Sequence, residues 1–226
     1  MWLVSMSRKG VESLVMAVAL LFALSNAYAA DGIAAPKPRT LLVVGDSLSA
    51  AYGLAAEQGW VHLLGQRLAQ SHPNWRVVNA SISGETTAGG AARIDAALRQ
   101  HTPALVAIEL GANDALRGLP IEHASANLGR MIEASQKAGA RVLLIGTRIP
   151  PNYGPDYAEA LRVMYTSLAE EHDATLLPFL LEPIAAQRNA FQADNLHPTA
   201  ASQPQLLEHV WPQLEPMLDH SLSPQL

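Results

Sequence analysis

Residues 40–49, "TLLVVGDSLS", combine an apolar run with a polar end. The apolar part of this stretch, residues 41–44, is continuous rather than alternating, as in a parallel strand that helices cover on both faces. The run then ends in Gly45, Asp46 and Ser47, which have no use in a hydrophobic core. In open parallel sheets, ligands bind outside the carboxyl ends of the strands. The stretch therefore predicts a strand that presents a hydroxyl and a carboxylate at a binding edge.

Similar apolar runs recur along the chain, with helical patterns between them. We predict five strands, at residues 40–44, 76–80, 104–110, 141–147 and 175–178. Apolar residues at helical spacing predict helices around Leu64, Ile94, Leu128, Leu161 and Val210. Because strands and helices alternate, we predict a single three-layer α/β/α domain with a parallel sheet.

The first 29 residues have the layout of a secretory signal peptide. Arg8 and Lys9 are basic, residues 14–24 form an uninterrupted apolar run, and Ala27 and Ala29 place small residues three and one before the predicted cleavage site, ahead of Asp31. The apolar run is shorter than the about twenty residues that a membrane span needs. An N-terminal anchor or a buried helix remains the alternative. We expect a signal peptide over residues 1–29 and export to the periplasm or beyond.

Charge and composition limit what the rest of the chain does. After the signal peptide we expect a short linker over residues 30–39 and one domain over residues 40–220. The formal net charge of the chain is −5, so its surface should not attract nucleic acid. There is no cysteine, which excludes a thiol nucleophile, a disulfide framework and a thiolate metal site. We expect no stable membrane span and a monomer.

Further candidate site residues follow the later strands or precede the last helix. Gly84 follows the second strand, Asn113 follows the third, and Asp194 and His197 stand before the last helix. Taken singly, each has an ordinary explanation as a turn, cap or loop residue. Taken together with Ser47, they supply what acyl transfer needs: a nucleophile, a base, a carboxylate that orients the base, and oxyanion donors.

On the acyl-transfer hypothesis, each of these residues has a specific role. Ser47 is the nucleophile and His197 the base, and Asp194, three residues earlier, reaches the imidazole within one tight loop. The oxyanion donors are the backbone amides of Ser47 and Gly84 and the side-chain amide of Asn113. Asp46 neighbours the nucleophile, but we expect it to hold the turn by accepting backbone hydrogen bonds.

The loop after the fourth strand is a candidate wall for an acyl chain. Ile149, Pro151 and Tyr153 alternate along it, and prolines stiffen it by fixing φ. We predict that these three residues bind the substrate, although an ordinary surface loop explains the same residues equally well.

Four blocks in this order, "GDSLS", "SISGET", "GAND" and "DNLHP", resemble the GDSL or SGNH hydrolases. The residues in and around the blocks are similar to those of a secreted subgroup of acyl-CoA thioesterases, arylesterases and lysophospholipases. The resemblance covers most of the chain after residue 40. It implies a flavodoxin-like sheet of five parallel strands, no metal and no cofactor. It also implies an acyl ester or thioester as substrate, with lysophospholipid as one candidate.

Two other functions remain open at this point. A metal-dependent phosphoesterase would use oxygen and nitrogen ligands at the strand ends, from Asp46, Asn113, Asp114, Asp194 and His197. That hypothesis leaves Ser47 and Gly84 without a role. An exported binding protein with a degenerate site would bind ligand without turnover. Labelling of an activated serine would distinguish a serine hydrolase from such a binding protein.

Overall fold

A computed structural model describes residues 38–219, and its centre is a five-stranded sheet with every neighbouring pair parallel. The strands are β1 (Arg39–Gly45), β2 (Trp75–Asn79), β3 (Leu105–Glu109), β4 (Arg141–Ile145) and β5 (Thr175–Leu177). Their spatial order is β2-β1-β3-β4-β5, which is the flavodoxin-like order. The predicted fold class is therefore confirmed. The expected signal peptide lies outside the described residues, as does residue 220.

Helices cover both faces of the sheet. Within residues 38–219 they are α1 (Trp60–Ser71), α2 (Thr87–His101), α3 (Ala112–Leu116), α4 (Ile121–Lys137), α5 (Pro155–Glu171) and α6 (Gln203–Asp219). Residues of α1 and α6 share one buried cluster, and residues of α2, α4 and α5 share the other. The result is the three-layer arrangement that the alternation of strands and helices predicts.

Strand β1 shows why the central run is continuous. Leu41 and Val43 pack into the cluster with α1 and α6, while Leu42 and Val44 pack into the opposite cluster. All four side chains are almost fully buried. Burying a side chain of this size contributes about 1.5–3 kcal/mol. Because successive residues of a strand face opposite ways, a strand buried on both sides needs an apolar residue at every position.

The order of the strands in the sheet brings Ser47 and Asn113 to the same part of its carboxyl edge. The chain leaves β1 towards β2 on one side, and then crosses to β3 on the other side of β1. Such a switch in strand order opens a crevice at the carboxyl ends of the two central strands. Ser47 follows β1 there and Asn113 follows β3. Among the helices of residues 38–219, none has the length and apolar character that crossing a membrane would require.

The short helix α3 was not predicted from the sequence. It begins within the "GAND" block, directly after β3, and has five residues. A helix of this length is too short to produce a periodic apolar pattern. Its first turn carries Asn113 and Asp114, so the helix directs the "GAND" side chains towards the edge of the sheet. Asp114 is buried and accepts hydrogen bonds from the N–H and hydroxyl of Thr87, at the start of α2.

Candidate active site

Ser47, His197 and Asp194 form one continuous hydrogen-bonded series. The Oγ of Ser47 lies 2.9 Å from Nε2 of His197. On the other side of the ring, Nδ1 of His197 lies 2.7 Å from Oδ2 of Asp194. Ser47 and His197 are 150 residues apart in sequence, so only the tertiary structure brings them together. The order is that of a nucleophile, a base and a group that orients the base.

The local structure of the loop holds Asp194 in its ionised form. Its Oδ1 accepts hydrogen bonds from the backbone N–H of Leu196, at 2.9 Å, and of His197, at 3.0 Å. These bonds belong to the tight turn that the spacing of Asp194 and His197 predicts. The His197 N–H, followed by the His197 ring and the Leu196 N–H, lowers the pKa of Asp194 to about 2. Hydrogen bonds to a carboxylate favour its charged form, so Asp194 carries its charge at neutral pH.

Gly84 and Asn113 lie beside Ser47 and, with it, line a common cavity. Gly84 has a φ of +79°, in the left-handed region where glycine carries no steric penalty. The hydrogen bonds described for residues 38–219 leave the backbone N–H groups of Ser47 and Gly84 without a protein acceptor. Both donors therefore remain available to a ligand in the cavity.

The side-chain amide of Asn113 is, by contrast, already engaged. Its Nδ2 donates to Oδ2 of Asp46 and to the backbone oxygen of Glu85, at 3.0 Å in both cases. Asp46 is buried and also accepts a hydrogen bond from the N–H of Leu48, at 3.0 Å. Asp46 thus both holds the turn after β1 and orients Asn113. Burial raises the pKa of Asp46 to about 6, although the Leu48 N–H lowers it in part.

Glu109 is a second buried carboxyl group beneath the same turn, and the sequence analysis gave it no role. Its side chain is 2 % exposed. Its Oε2 accepts hydrogen bonds from the hydroxyl of Ser49, at 2.8 Å, and from the backbone N–H of Asp46, at 3.4 Å. Burial and the nearby Asp46 raise the pKa of Glu109 well above its ordinary value. The available signal was a single acidic residue inside the otherwise apolar run 104–110.

A cavity of about 320 Å³ opens beside Ser47 and carries mostly apolar walls. Its lining away from the hydrogen-bonded series includes Leu48, Tyr52, Leu116, Thr147, Arg148, Ile149, Pro150, Leu181 and Leu196. No substrate contact was predicted from the sequence for Tyr52, Thr147, Arg148 or Leu181. Thr147, Arg148 and Leu181 lie outside the motif blocks, and their positions depend on how distant loops meet.

The three predicted substrate residues are placed differently from one another. Ile149 lines the cavity, together with its neighbour Pro150. Pro151 begins a short 3₁₀ helix, Pro151–Tyr153. Tyr153 is not among the residues that line the cavity; its hydroxyl lies 3.4 Å from the backbone oxygen of Leu116, which does line it. The predicted contact between Tyr153 and an acyl chain stays a prediction.

A serine, a histidine and an aspartate in one hydrogen-bonded series, at the carboxyl edge of a parallel sheet, define the class of serine hydrolases. The sequence matches the GDSL-like lipase/acylhydrolase family over residues 43–203. It is 52% identical over 180 residues to the esterase TesA of Pseudomonas aeruginosa, covering 80% of this chain and 90% of that protein. The chain belongs to the GDSL-like lipase/acylhydrolase family and is an enzyme.

Two further comparisons agree with this family. The thioesterase 1/protease 1/lysophospholipase L1 of Escherichia coli K12 is 41% identical over 181 residues, or 80% of this chain and 86% of that protein. A crystal structure of the psychrotrophic esterase EstA from a Pseudoalteromonas species, inhibited by monoethylphosphonate, superposes with a TM-score of 0.77. That match has 41% identity and covers 80% of this chain and all of the other.

The geometry gives little support to a metal-dependent site. Within residues 38–219, no three histidine, aspartate or glutamate side chains are grouped so that they could hold a metal ion. Oδ2 of Asp194 and Oγ of Ser47 instead contact opposite nitrogens of the His197 ring, and Asp46 contacts Asn113. Four of the five side chains that the metal hypothesis requires as ligands are thus hydrogen-bonded in two pairs, and the fifth, Asp114, is hydrogen-bonded to Thr87.

Proposed function

We propose that the enzyme hydrolyses carboxylic esters and thioesters of acyl chains through an acyl-enzyme on Ser47. The observation that carries this proposal is the 2.9 Å contact between the hydroxyl of Ser47 and Nε2 of His197, beside an apolar cavity. A serine hydroxyl is a weak nucleophile until an adjacent base accepts its proton. The contact supplies that base at hydrogen-bonding distance.

The first half of the reaction forms the acyl-enzyme. Nε2 of His197 takes the proton of Ser47 as Oγ attacks the carbonyl carbon of the substrate. The Asp194 carboxylate, on Nδ1, stabilises the imidazolium that forms. The tetrahedral intermediate then collapses, and Nε2 returns the proton to the departing alkoxide or thiolate. The alcohol or thiol leaves, and the acyl group remains on Ser47.

The second half releases the acid and restores the enzyme. A water molecule takes the place of the leaving group and gives one proton to Nε2 of His197 as its oxygen attacks the acyl carbon. The intermediate collapses with departure of Oγ, which regains the proton from the imidazolium. The free acid leaves, and Ser47 and His197 return to their starting protonation states.

The negative oxygen of both intermediates needs donors that are already in place. We assign this role to the N–H groups of Ser47 and Gly84 and to the side-chain amide of Asn113. Since both hydrogens of that amide are engaged by Asp46 and the Glu85 carbonyl, Asn113 must share or exchange one of them to bind the oxyanion. Asp46 keeps the amide close to the required position in the meantime.

The cavity and the relatives both support the proposed substrate class. Apolar walls of Leu116, Ile149 and Leu181 suit the hydrocarbon part of an acyl chain. The names of the relatives include an esterase, a thioesterase and a lysophospholipase. We therefore propose small acyl esters and thioesters, aryl esters among them, with lysophospholipid as one candidate substrate. The reaction requires no cofactor.

We also propose where the enzyme acts and in which oligomeric state. The signal-peptide pattern of residues 1–29 supports export to the periplasm or to the exterior, with a linker over residues 30–39 and the hydrolase domain over residues 40–220. We propose that the exported enzyme acts as a monomer. Amino-terminal sequencing of secreted protein, together with its mass by light scattering, tests both statements.

The test of the chemistry is covalent labelling. A fluorophosphonate probe should label the enzyme once, with Ser47 as the modified residue in the peptide map, and hydrolysis of p-nitrophenyl butyrate should stop in proportion. Labelling at another residue would refute the role of Ser47. Ligand binding without labelling or turnover would support a degenerate binding protein, and turnover lost with a chelator would support a metal-dependent enzyme.

A further inference from the structure

The contact between Ser47 and His197 depends on how two loops sit against each other. Ser47 begins the turn region of residues 47–53 after β1, and His197 lies in residues 191–198, which we call the histidine loop. Neither residue belongs to a helix or a strand. The alignment of Oγ with Nε2 therefore needs contacts other than those of the regular elements, and the side chains of Gln192 and Tyr52 make such contacts between the two loops.

Gln192 organises the histidine loop through its backbone. Its N–H donates a hydrogen bond of 2.8 Å to the backbone oxygen of His197, and its own oxygen accepts one of 2.9 Å from the N–H of Asn195. Phe191 and Pro198 pair across the base of the loop as an isolated antiparallel bridge. These contacts close the loop on itself, but they do not attach it to Ser47.

The side chain of Gln192 makes that attachment. Its Nε2 donates to the backbone oxygen of Pro198, at 3.0 Å, and to the backbone oxygen of Tyr52, at 2.8 Å. A side-chain amide has two N–H donors, so one serves the histidine loop and the other serves the segment that follows Ser47. Both acceptors are carbonyl oxygens, which determines that the nitrogen of the amide faces them.

Close packing at Gly53 reinforces the same contact. Gly53 lies next to Oε1 of Gln192, and a Cβ on Gly53 would overlap that oxygen. The residue before it, Tyr52, also packs its ring against that of His197 in a tilted arrangement, with the ring centroids 4.4 Å apart and the planes 37° from each other. Gln192 thus holds the backbone of a residue whose ring contacts the catalytic imidazole.

We propose that Gln192 is a positioning residue, which aligns His197 with Ser47 by tying the histidine loop to residues 47–53 through the two donors of its side-chain amide. The inference rests on the proposed function of Ser47 and His197. A displacement of about 1 Å at a reacting group can lower the rate about 100-fold. Loss of the two donors should therefore lower kcat and leave KM nearly unchanged, because Gln192 does not line the cavity.

The experiment compares Gln192→Met with the matched control Gln187→Met. Methionine keeps the length of the side chain and removes both donors. Nε2 of Gln187 also donates to a backbone oxygen, that of Pro183, but within its own segment. We expect kcat per fluorophosphonate-labelled serine to fall about 10- to 100-fold in Gln192→Met, with KM within about threefold of wild type. Gln187→Met should match wild type in both constants.

A second variant tests the donors themselves. Gln192→Glu places a carboxylate against two carbonyl oxygens, and only its protonated form has one donor. The activity of Gln192→Glu relative to wild type should therefore rise as the pH falls from 8 to 5. A ratio that does not change with pH would overturn the donor role, as would a kcat per labelled serine in Gln192→Met equal to that of Gln187→Met. If the wild type itself is not labelled, the proposed function fails instead.

Discussion

The side-chain amide of Asn113 donates a hydrogen bond of 3.0 Å to the carboxylate of Asp46, the residue directly before Ser47. Two of the blocks that resemble the GDSL hydrolases thus meet through a contact between side chains 67 residues apart. The bond orients the amide towards the cavity that Ser47 also lines. The contact gives Asp46, the aspartate of "GDSLS", a role in orienting Asn113, and that role does not require Asp46 to react with the substrate.

Replacement of Asn113 should damage the transition state more than substrate binding. Asn113→Ala is expected to lower kcat by about 10²- to 10³-fold with little change in KM, because an oxyanion donor acts mainly when charge develops. Steady-state kinetics with p-nitrophenyl butyrate give both constants. Asn127→Ala is the matched control, since Asn127 donates to Thr87 and does not line the cavity. A change confined to KM in Asn113→Ala would rule out the oxyanion role.

Ser47→Ala and His197→Ala should each remove nearly all turnover and leave the fold intact. Members of one catalytic unit are not additive, so the double variant should be little slower than either single variant. His62→Ala, at an exposed histidine on α1, serves as the control. Retention of more than about a tenth of the activity in Ser47→Ala would be incompatible with a covalent serine mechanism at this position.

The buried Glu109 should make stability depend on pH. Its folded pKa lies well above the ordinary value, because of burial first and of the nearby Asp46 second. Above the ordinary value the unfolded chain releases this proton while the folded protein keeps it, so the free energy of unfolding falls as pH rises. One such proton changes that energy by about 1.4 kcal/mol per pH unit.

Urea unfolding of wild type and Glu109→Gln between pH 5 and 8 measures this effect. The glutamine carries no proton to lose, so its free energy of unfolding should fall less steeply with pH than that of wild type. Glu57→Gln, at an exposed glutamate, should follow the wild-type slope. Equal slopes for wild type and Glu109→Gln would contradict the raised pKa. Asp46, whose pKa is about 6 in the wild type, is retained in all three proteins.

The cavity wall should set the preference for acyl length. Each methylene buried against it gains about 0.8 kcal/mol, or up to about fourfold in kcat/KM, until the wall ends. Ile149 lines the cavity, so Ile149→Ala should shift the optimum among a series of p-nitrophenyl esters and leave acetate hydrolysis nearly unchanged. Tyr153 does not line the cavity and contacts the Leu116 carbonyl, so Tyr153→Ala should shift the optimum less.

Val163→Ala provides the reference for both loop variants, because Val163 is an exposed apolar residue on α5 that does not line the cavity. Curves of kcat/KM against chain length that run parallel for Ile149→Ala and Val163→Ala would show that this loop does not select the acyl chain. The preference would then have to come from Leu116, Leu181 or Leu196.

The order of strands and helices and the identity of the motif residues could be predicted from the sequence alone. The apolar run 41–44 specifies a strand buried on both faces, and the spacing of Asp194 and His197 specifies a tight turn. Both are local properties, since periodicity and turn geometry involve neighbours a few residues apart. For the same reason every strand limit lies within two residues of the predicted one, and the largest difference is at the end of Arg141–Ile145, which was predicted to extend to residue 147.

Which side chains meet could not be predicted in this way, because it depends on the folded arrangement of the whole domain. The bond from Asn113 to Asp46, the burial of Glu109 beneath Ser49, and the bridge from Gln192 to Tyr52 join residues 60 to 140 positions apart. No local pattern encodes such pairs, because they arise from the packing of loops that the sheet order brings to one edge. Burial at that edge removes water from the carboxyl groups of Asp46 and Glu109, and this desolvation is what shifts their pKa values.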